Sequence, residues 1–272
     1  VPEGAMVRPV VIPALLLGLS VAVSARAEAP ATELEFRRHV ESLVETGRLA
    51  WDQGLLVRFQ RVFAPVDLPP ELRSSGATPV KSATGLVMEY RSLRDGVPVT
   101  VAAQIEGYLA QSPAVGSPVH ETAHFLFTYE LSGPHAVSPV DENVDGVPDH
   151  VERIGAWAEL AWSRLFDDAG FAAPAHGKVP VWFREMEAYG YTLVDDGAPR
   201  IVLHRDYQGF PANSDPAGSA FGAAKVSAAH ELKHVSQFEA SAWSEGGWLE
   251  ADATWAEDFV FDETDDYLRY LA

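Results

Sequence analysis

An α+β fold is predicted for most of this chain: a small twisted sheet packed on long helices, preceded by a mainly helical N-terminal region. Three observations predict it. Short apolar runs suited to strands recur between residues 124 and 204. Longer stretches with a period near 3.6 residues lie among and after them, at 150–171, 225–240 and 246–261. Proline-, glycine- and serine-rich joins separate the parts, the clearest being "AQSPAVGSP" at 110–118.

The first element is not globular. Met6-Val7-Arg8 is a short basic opening, "VVIPALLLGLSVAVS" (10–24) is apolar and uncharged, and "ARA" (25–27) supplies small residues at the spacing for cleavage after Ala27. Residues 1–27 therefore read as a secretory signal peptide. The apolar run is short for a membrane span. The expected location is extracellular or periplasmic, with no stable membrane anchor after cleavage. The 272 residues include no Cys, so packing and bound ions, not disulfides, must hold an exported chain together. Thirty-nine acidic against 20 basic residues give a formal charge of −19. That balance excludes nucleic acid as a natural partner and suits cations.

Residues 28–115 form the N-terminal region. Phe36, Val40, Leu43 and Val44 share one helical face. The region carries no chemistry, and two readings stand: a helical cap, or an inhibitory pro-segment. From 116 to 272 the pattern is regular. "HFLFTYEL" (124–131) alternates, with Phe125, Phe127, Tyr129 and Leu131 on one side. "HVERIGAWAELAWSRLFDDAGF" (150–171) has the helical stripe Val151, Ile154, Trp157, Ala158, Ala161 and Leu165. "KVPVWF" (178–183) and "RIVLH" (200–204) read as strands, and the two last helices follow.

His-Glu-x-x-His occurs twice, at 120–124 and 230–234. Zinc demands ligand nitrogens within roughly 3.5 Å of each other. Positions i and i+4 converge on a helix, whereas four residues of strand span roughly 13 Å. "VHETAHFLF" runs into an alternating strand, so its match reads as coincidence. His230 and His234 sit in an uninterrupted helical stretch, where the pattern can hold an ion. With no Cys, further ligands must be His, Asp or Glu. An antiparallel return after Gly246-Gly247 brings Glu250 beside the pair, with Asp252 less well placed. Glu257 and Asp258 could brace a ligand imidazole, but their expected place is an exposed helix face. Glu231 then stands beside the open position as general base, and Tyr267, Tyr270 and His204 are unranked candidates for the donor to an oxyanion.

"DENVDGVPDHVE" (141–152) is the second strong pattern. Asp141, Asn143, Asp145, Val147, Asp149 and Glu152 fall at positions 1, 3, 5, 7, 9 and 12 of a twelve-residue loop, with Gly146 at the sharp turn. Calcium takes six to eight oxygens in that order. The expectation is a fixed structural calcium that starts the following helix.

Taken in order, "YELSGPHAVSPVDENVDGVPDHVE", "YGYT", "HELKH" and "WLEADATWAEDFVF" resemble secreted bacterial metallopeptidases of the gluzincin type over roughly residues 120–272. The resemblance implies a zincin-like domain, zinc on His230, His234 and Glu250, catalytic Glu231, and a protein or peptide substrate. "RIVLH" is nominated as the edge strand that aligns an extended peptide. Two positions depart from the family pattern. "EADA" (250–253) replaces "EGTA", and Lys233 stands where an aromatic is common. Two alternatives share this fold: a calcium-stabilised secreted binding protein with a degenerate zinc site, and a zinc amidase acting on a cell-wall amide.

Overall fold

The computed structural model describes residues 31–270 except Ser75, His176 and Glu245. The signal-peptide reading falls on residues 1–27, outside the described residues. Four helices come first: α1 (Glu33–Glu45), α2 (Trp51–Phe63), α3 (Thr84–Leu93) and α4 (Val99–Leu109). Helix α1 begins at a capping box. The Thr32 hydroxyl accepts the Glu35 N–H at 3.2 Å, and the Glu35 carboxylate accepts the Thr32 N–H at 3.0 Å. Phe36 and Val40 are buried and Leu43 and Val44 half-buried, so the expected face is the one that packs.

Then come β1 (Val119–Glu121), β2 (Phe125–Thr128), α5 (Asp149–Trp162) with a π-helical turn over Ser163–Asp168, β3 (Val179–Arg184), β4 (Gly190–Asp195) and β5 (Ala198–His204). Helices α6 (Ser219–Ser241) and α7 (Leu249–Val260) and a short turn at Asp266–Tyr270 follow. The architecture is mixed α/β: seven α-helices and a five-stranded sheet among the described residues, in the order β1-β2-β3-β5-β4. β2, β3 and β5 run parallel, and the two outer strands pair antiparallel.

Alternation along the strands splits the core across both sheet faces. Val179, Val181, Phe183, Ile201 and Leu203 join Phe125 and Phe127 against α5 and α6. Trp182, Tyr191, Leu193 and Val202 face the other way, into a core shared with α2, α3 and α4. Hydrophobic packing therefore crosses the join at residue 115.

Two strand expectations change, and one strand had not been anticipated. "RIVLH" is not an edge: β5 lies between β3 and β4 and is buried on both faces, which is why it reads as an unbroken apolar run. The edge beyond it is β4, whose Tyr-Gly-Tyr-Thr start carries no regular alternation to read. "VHETAHFLF" is a hairpin rather than a linker and one strand. His120 lies in β1 opposite Phe127, and His124 lies just before β2.

Candidate metal centre

Helix α6 is buried at every position from Gly222 to Gln237 except Lys225. Its polar residues there must find partners inside the protein. Ala242 and Trp243 then take left-handed backbone (φ 50° and 59°), and the Trp243 indole N–H donates to the His234 carbonyl at 2.8 Å. The chain returns as α7 in the opposite direction, so Gln237 meets Leu249, His234 meets Glu250 and His230 meets Glu257.

The expected ligands come together. His230 Nε2 and His234 Nε2 are 3.1 Å apart, and the Glu250 carboxylate lies 3.1 Å from the first and 3.5 Å from the second. Among the described residues this is the one group of three His, Cys, Asp or Glu side chains able to share an ion. The partners of the other ring nitrogens decide what it can hold. Glu257 Oε1 is 2.7 Å from His230 Nδ1, which therefore donates. The Gln237 amide N–H₂ donates to the Leu249 carbonyl and to Asp252 Oδ2, both at 2.9 Å. Its oxygen is thereby left to accept from His234 Nδ1 at 2.8 Å. With both Nδ1 atoms donating outward, the two Nε2 atoms and Glu250 turn electron pairs toward one point. A cation is what that donor set fits, and nitrogen with carboxylate oxygen is the catalytic zinc palette. Without an ion the two carboxylates favour a second proton on the His230 ring, at the position a metal would take. Burial lowers the His230 pKa, but the bonds to Glu250 and Glu257 outweigh it and raise the value to about 10. Desolvation raises the Glu250 carboxyl, and the two imidazoles beside it bring it below the usual carboxylate range.

Glu257 is thus not on an exposed face. It is 1 % exposed and holds the His230 ring at Nδ1. The two departures from the family pattern answer each other: Lys233 Nζ pairs with Asp252 Oδ2 at 3.0 Å and lies over the Phe171 ring. Asp252 is taken up by Lys233 and Gln237, and does not join His230, His234 and Glu250.

Glu231 is buried at 1 % exposure. Its Oε2 accepts from Thr84 Oγ1 at 2.9 Å and from Thr192 Oγ1 at 2.8 Å, while Oε1 is buried with no partner. Gly190 leaves the room: a Cβ there would stand 2.9 Å from Glu231 Cγ. Thr84, Gly85 and Lys81 were not legible as site residues. Thr84 reaches Glu231 across 147 positions, and the Gly85 N–H, free at the start of α3, donates to Glu250 Oε1 at 3.1 Å across 165. The same segment lies along the edge of β4. Ala83 N–H donates to the Gly190 carbonyl, and Thr192 N–H to Thr84 Oγ1. "YGYT" (189–192) was the available signal for Gly190 and Thr192. A cavity of about 500 Å³ opens beside Glu250 and Gly85, bounded by Lys81, Leu86, Glu89 and Tyr270.

The oxyanion candidates are spread out. His204 is buried, and its Nδ1 accepts the Asp206 and Tyr207 N–H groups. Tyr270 donates to the Pro79 carbonyl and borders the cavity. Tyr267 stands near Asp258, Asp262 and Asp265, whose charges raise its pKa. The other His-Glu-x-x-His is engaged elsewhere: His124 Nδ1 bonds Glu159 at 2.6 Å and its ring stacks on Trp162 at 4.0 Å.

In the 141–152 loop, Asn143 Nδ2 reaches Asp145 Oδ2 at 3.1 Å and Glu152 Oε2 at 3.3 Å, so these three side chains face one another. Asp141 accepts the Asp145 and Gly146 N–H groups, and Gly146 makes the turn at φ 95°. Asp149 points away, accepting Glu142 N–H at 2.9 Å and pairing with Arg153 at 3.3 Å. Val147 donates its N–H to Asp145 at 2.9 Å. Asn143, Asp145 and Glu152 meet through the Asn143 amide N–H₂ group, which donates to both carboxylates, while its oxygen accepts the Asp145 N–H at 3.1 Å. No helix among the described residues is long and apolar enough to cross a membrane. Comparisons with protein-family models, with curated proteins and with solved structures find no match for this chain.

Proposed function

We propose that this protein is a secreted zinc-dependent endopeptidase of the zincin type, with calcium in the 141–152 loop. The observation that carries the reading is the convergence of His230 Nε2, His234 Nε2 and Glu250, each imidazole anchored from behind; Glu231, which follows His230 in the same helix, is buried with one oxygen unpartnered. Zinc on these three ligands supplies acidification of water and polarisation of a carbonyl. The chain supplies the rest. Glu231 Oε1 takes the proton of the attacking water and delivers it to the leaving amine. Thr84 and Thr192 hold Oε2, so the free oxygen keeps one direction. Glu257 and Gln237 hold the two rings in the tautomer that leaves Nε2 unprotonated. The cavity beside Glu250 admits a substrate side chain, and the acidic surface excludes nucleic acid.

The test compares wild type with Glu231→Gln for zinc content and for hydrolysis of casein and peptides. Equal zinc and a rate about 10²–10⁴-fold lower in the variant is the expected result. Equal rates would remove Glu231 from the chemistry. A second reading, a zinc-holding binding protein without turnover, has one observation in its favour. Ala83 and Thr84 occupy the outward polar atoms of β4, where an extended peptide would add. Wild type with one zinc and no hydrolysis of peptides or cell-wall amides would select it.

A further inference from the structure

Lys81 lies in none of the sequence patterns, yet it sits behind the metal ligands. Its segment is fixed by backbone pairing: Val80 N–H donates to the Glu187 carbonyl, and Tyr189 N–H to that of Val80. That directs the Lys81 ammonium inward. It pairs with Glu257 Oε2 at 2.9 Å and with Asp266, over the Tyr189 ring at 4.5 Å. Lys81 is 14 % exposed, and its two carboxylate partners are 1 % and 0 % exposed. The other oxygen of Glu257 holds His230 Nδ1. Asp266 is bonded on its far side by the Tyr189 hydroxyl and by Asn213.

We infer that Lys81 is a positioning residue of the metal centre, acting on His230 through Glu257. The inference rests on the metal-centre reading above. Lys81 holds Glu257 Oε2 at 2.9 Å, which fixes the carboxylate so that Oε1 points at His230 Nδ1, 2.7 Å away. That bond fixes the ring and makes Nε2 a better ligand. Asp266, which shares the same ammonium without touching His230, is a built-in control.

The experiment measures zinc dissociation constants by chelator competition on the full secreted chain, with circular dichroism to report folding. Lys81→Met and Glu257→Gln are each expected to weaken zinc about 10–100-fold. The double variant is expected to bind no worse than the weaker single one, because both changes act through one bond. Asp266→Asn is expected to lower the melting temperature and leave zinc affinity within a few-fold. The chain has no cysteine. Lys81→Cys can therefore be aminoethylated on the unfolded chain and refolded, which restores an ammonium at that place and is expected to restore affinity. Unchanged zinc affinity in a folded Lys81→Met, or equal losses in Asp266→Asn and Lys81→Met, would overturn the role. Should Lys81→Met not fold, Glu257→Gln decides: unchanged zinc affinity there overturns it as well. Wild type that binds no zinc would sink the metal-centre reading instead, a separate result.

Discussion

Gly190 shows how little slack surrounds the candidate general base. An added methyl group would stand 2.9 Å from Glu231 Cγ and 3.1 Å from the Val202 carbonyl, and that carbonyl belongs to the adjacent strand and cannot swing away. Gly190→Ala is expected to cost roughly 1–3 kcal/mol of stability by overpacking. It should also displace Glu231, lowering hydrolysis while zinc content holds; denaturant melts and metal analysis check the two halves. Gln237 is the matching case on the metal side. Gln237→Met keeps the volume and removes the acceptor for His234 Nδ1–H, so zinc should weaken about 10–100-fold in a competition titration. At this scale the sequence showed what local geometry dictates. His230 and His234 share a face because four residues nearly close a helical turn, and Glu250 follows from the antiparallel return. Thr84, Gly85 and Lys81 were hidden because their contacts exist only after the N-terminal helices dock. Glu257 was visible as a candidate, but an acidic residue on a helix is ordinarily solvated, and only packing reveals the half-buried lysine beside it.

Element by element, the long helices were the most legible, because their apolar stripes recur over several turns. The predicted stripe of α5 is buried at Val151, Ile154, Ala158, Ala161 and Leu165. β4 was not legible, since a strand covered on both faces and led by Tyr-Gly-Tyr-Thr has no simple period. The start of α5 carries two tests. If calcium joins Asn143, Asp145 and Glu152, ion at 100 times its dissociation constant adds about 2.7 kcal/mol. For a chain of this size that is a melting shift of several degrees, lost on chelation and largely absent in Glu152→Ala. His150 lies in the same first turn, with its Nε2 buried and unpartnered. Burial lowers its pKa to about 4. An unfolded histidine takes up its proton near 6.5, so between those values the unfolded state binds more protons. The contribution is present above pH 6.5 and is lost as pH falls toward 4, up to roughly 3 kcal/mol. His150→Gln should remove that part of the acid sensitivity, read from denaturant melts at pH 7 and pH 4.5.

Across the whole molecule, the sheet is covered on one face by α5 and α6 and on the other by α2, α3 and α4. A chain beginning at residue 116 would expose Met186, Ala188, Tyr191, Leu193 and Val202, which pack against the N-terminal helices. Such a fragment is expected to show no cooperative melt and no tight zinc site; a folded, zinc-binding fragment would return residues 28–115 to the role of a removable pro-segment. The sequence drew a boundary there because composition changes at 110–118, whereas the core is assembled from both sides of it. The central claim remains that His230, His234 and Glu250 hold one metal ion together. Zinc stoichiometry of the purified chain, wild type against Glu250→Ala, tests it most directly. One zinc per wild-type chain and a large loss in Glu250→Ala is the expected result. Full loading of Glu250→Ala, or none in wild type, would contradict it.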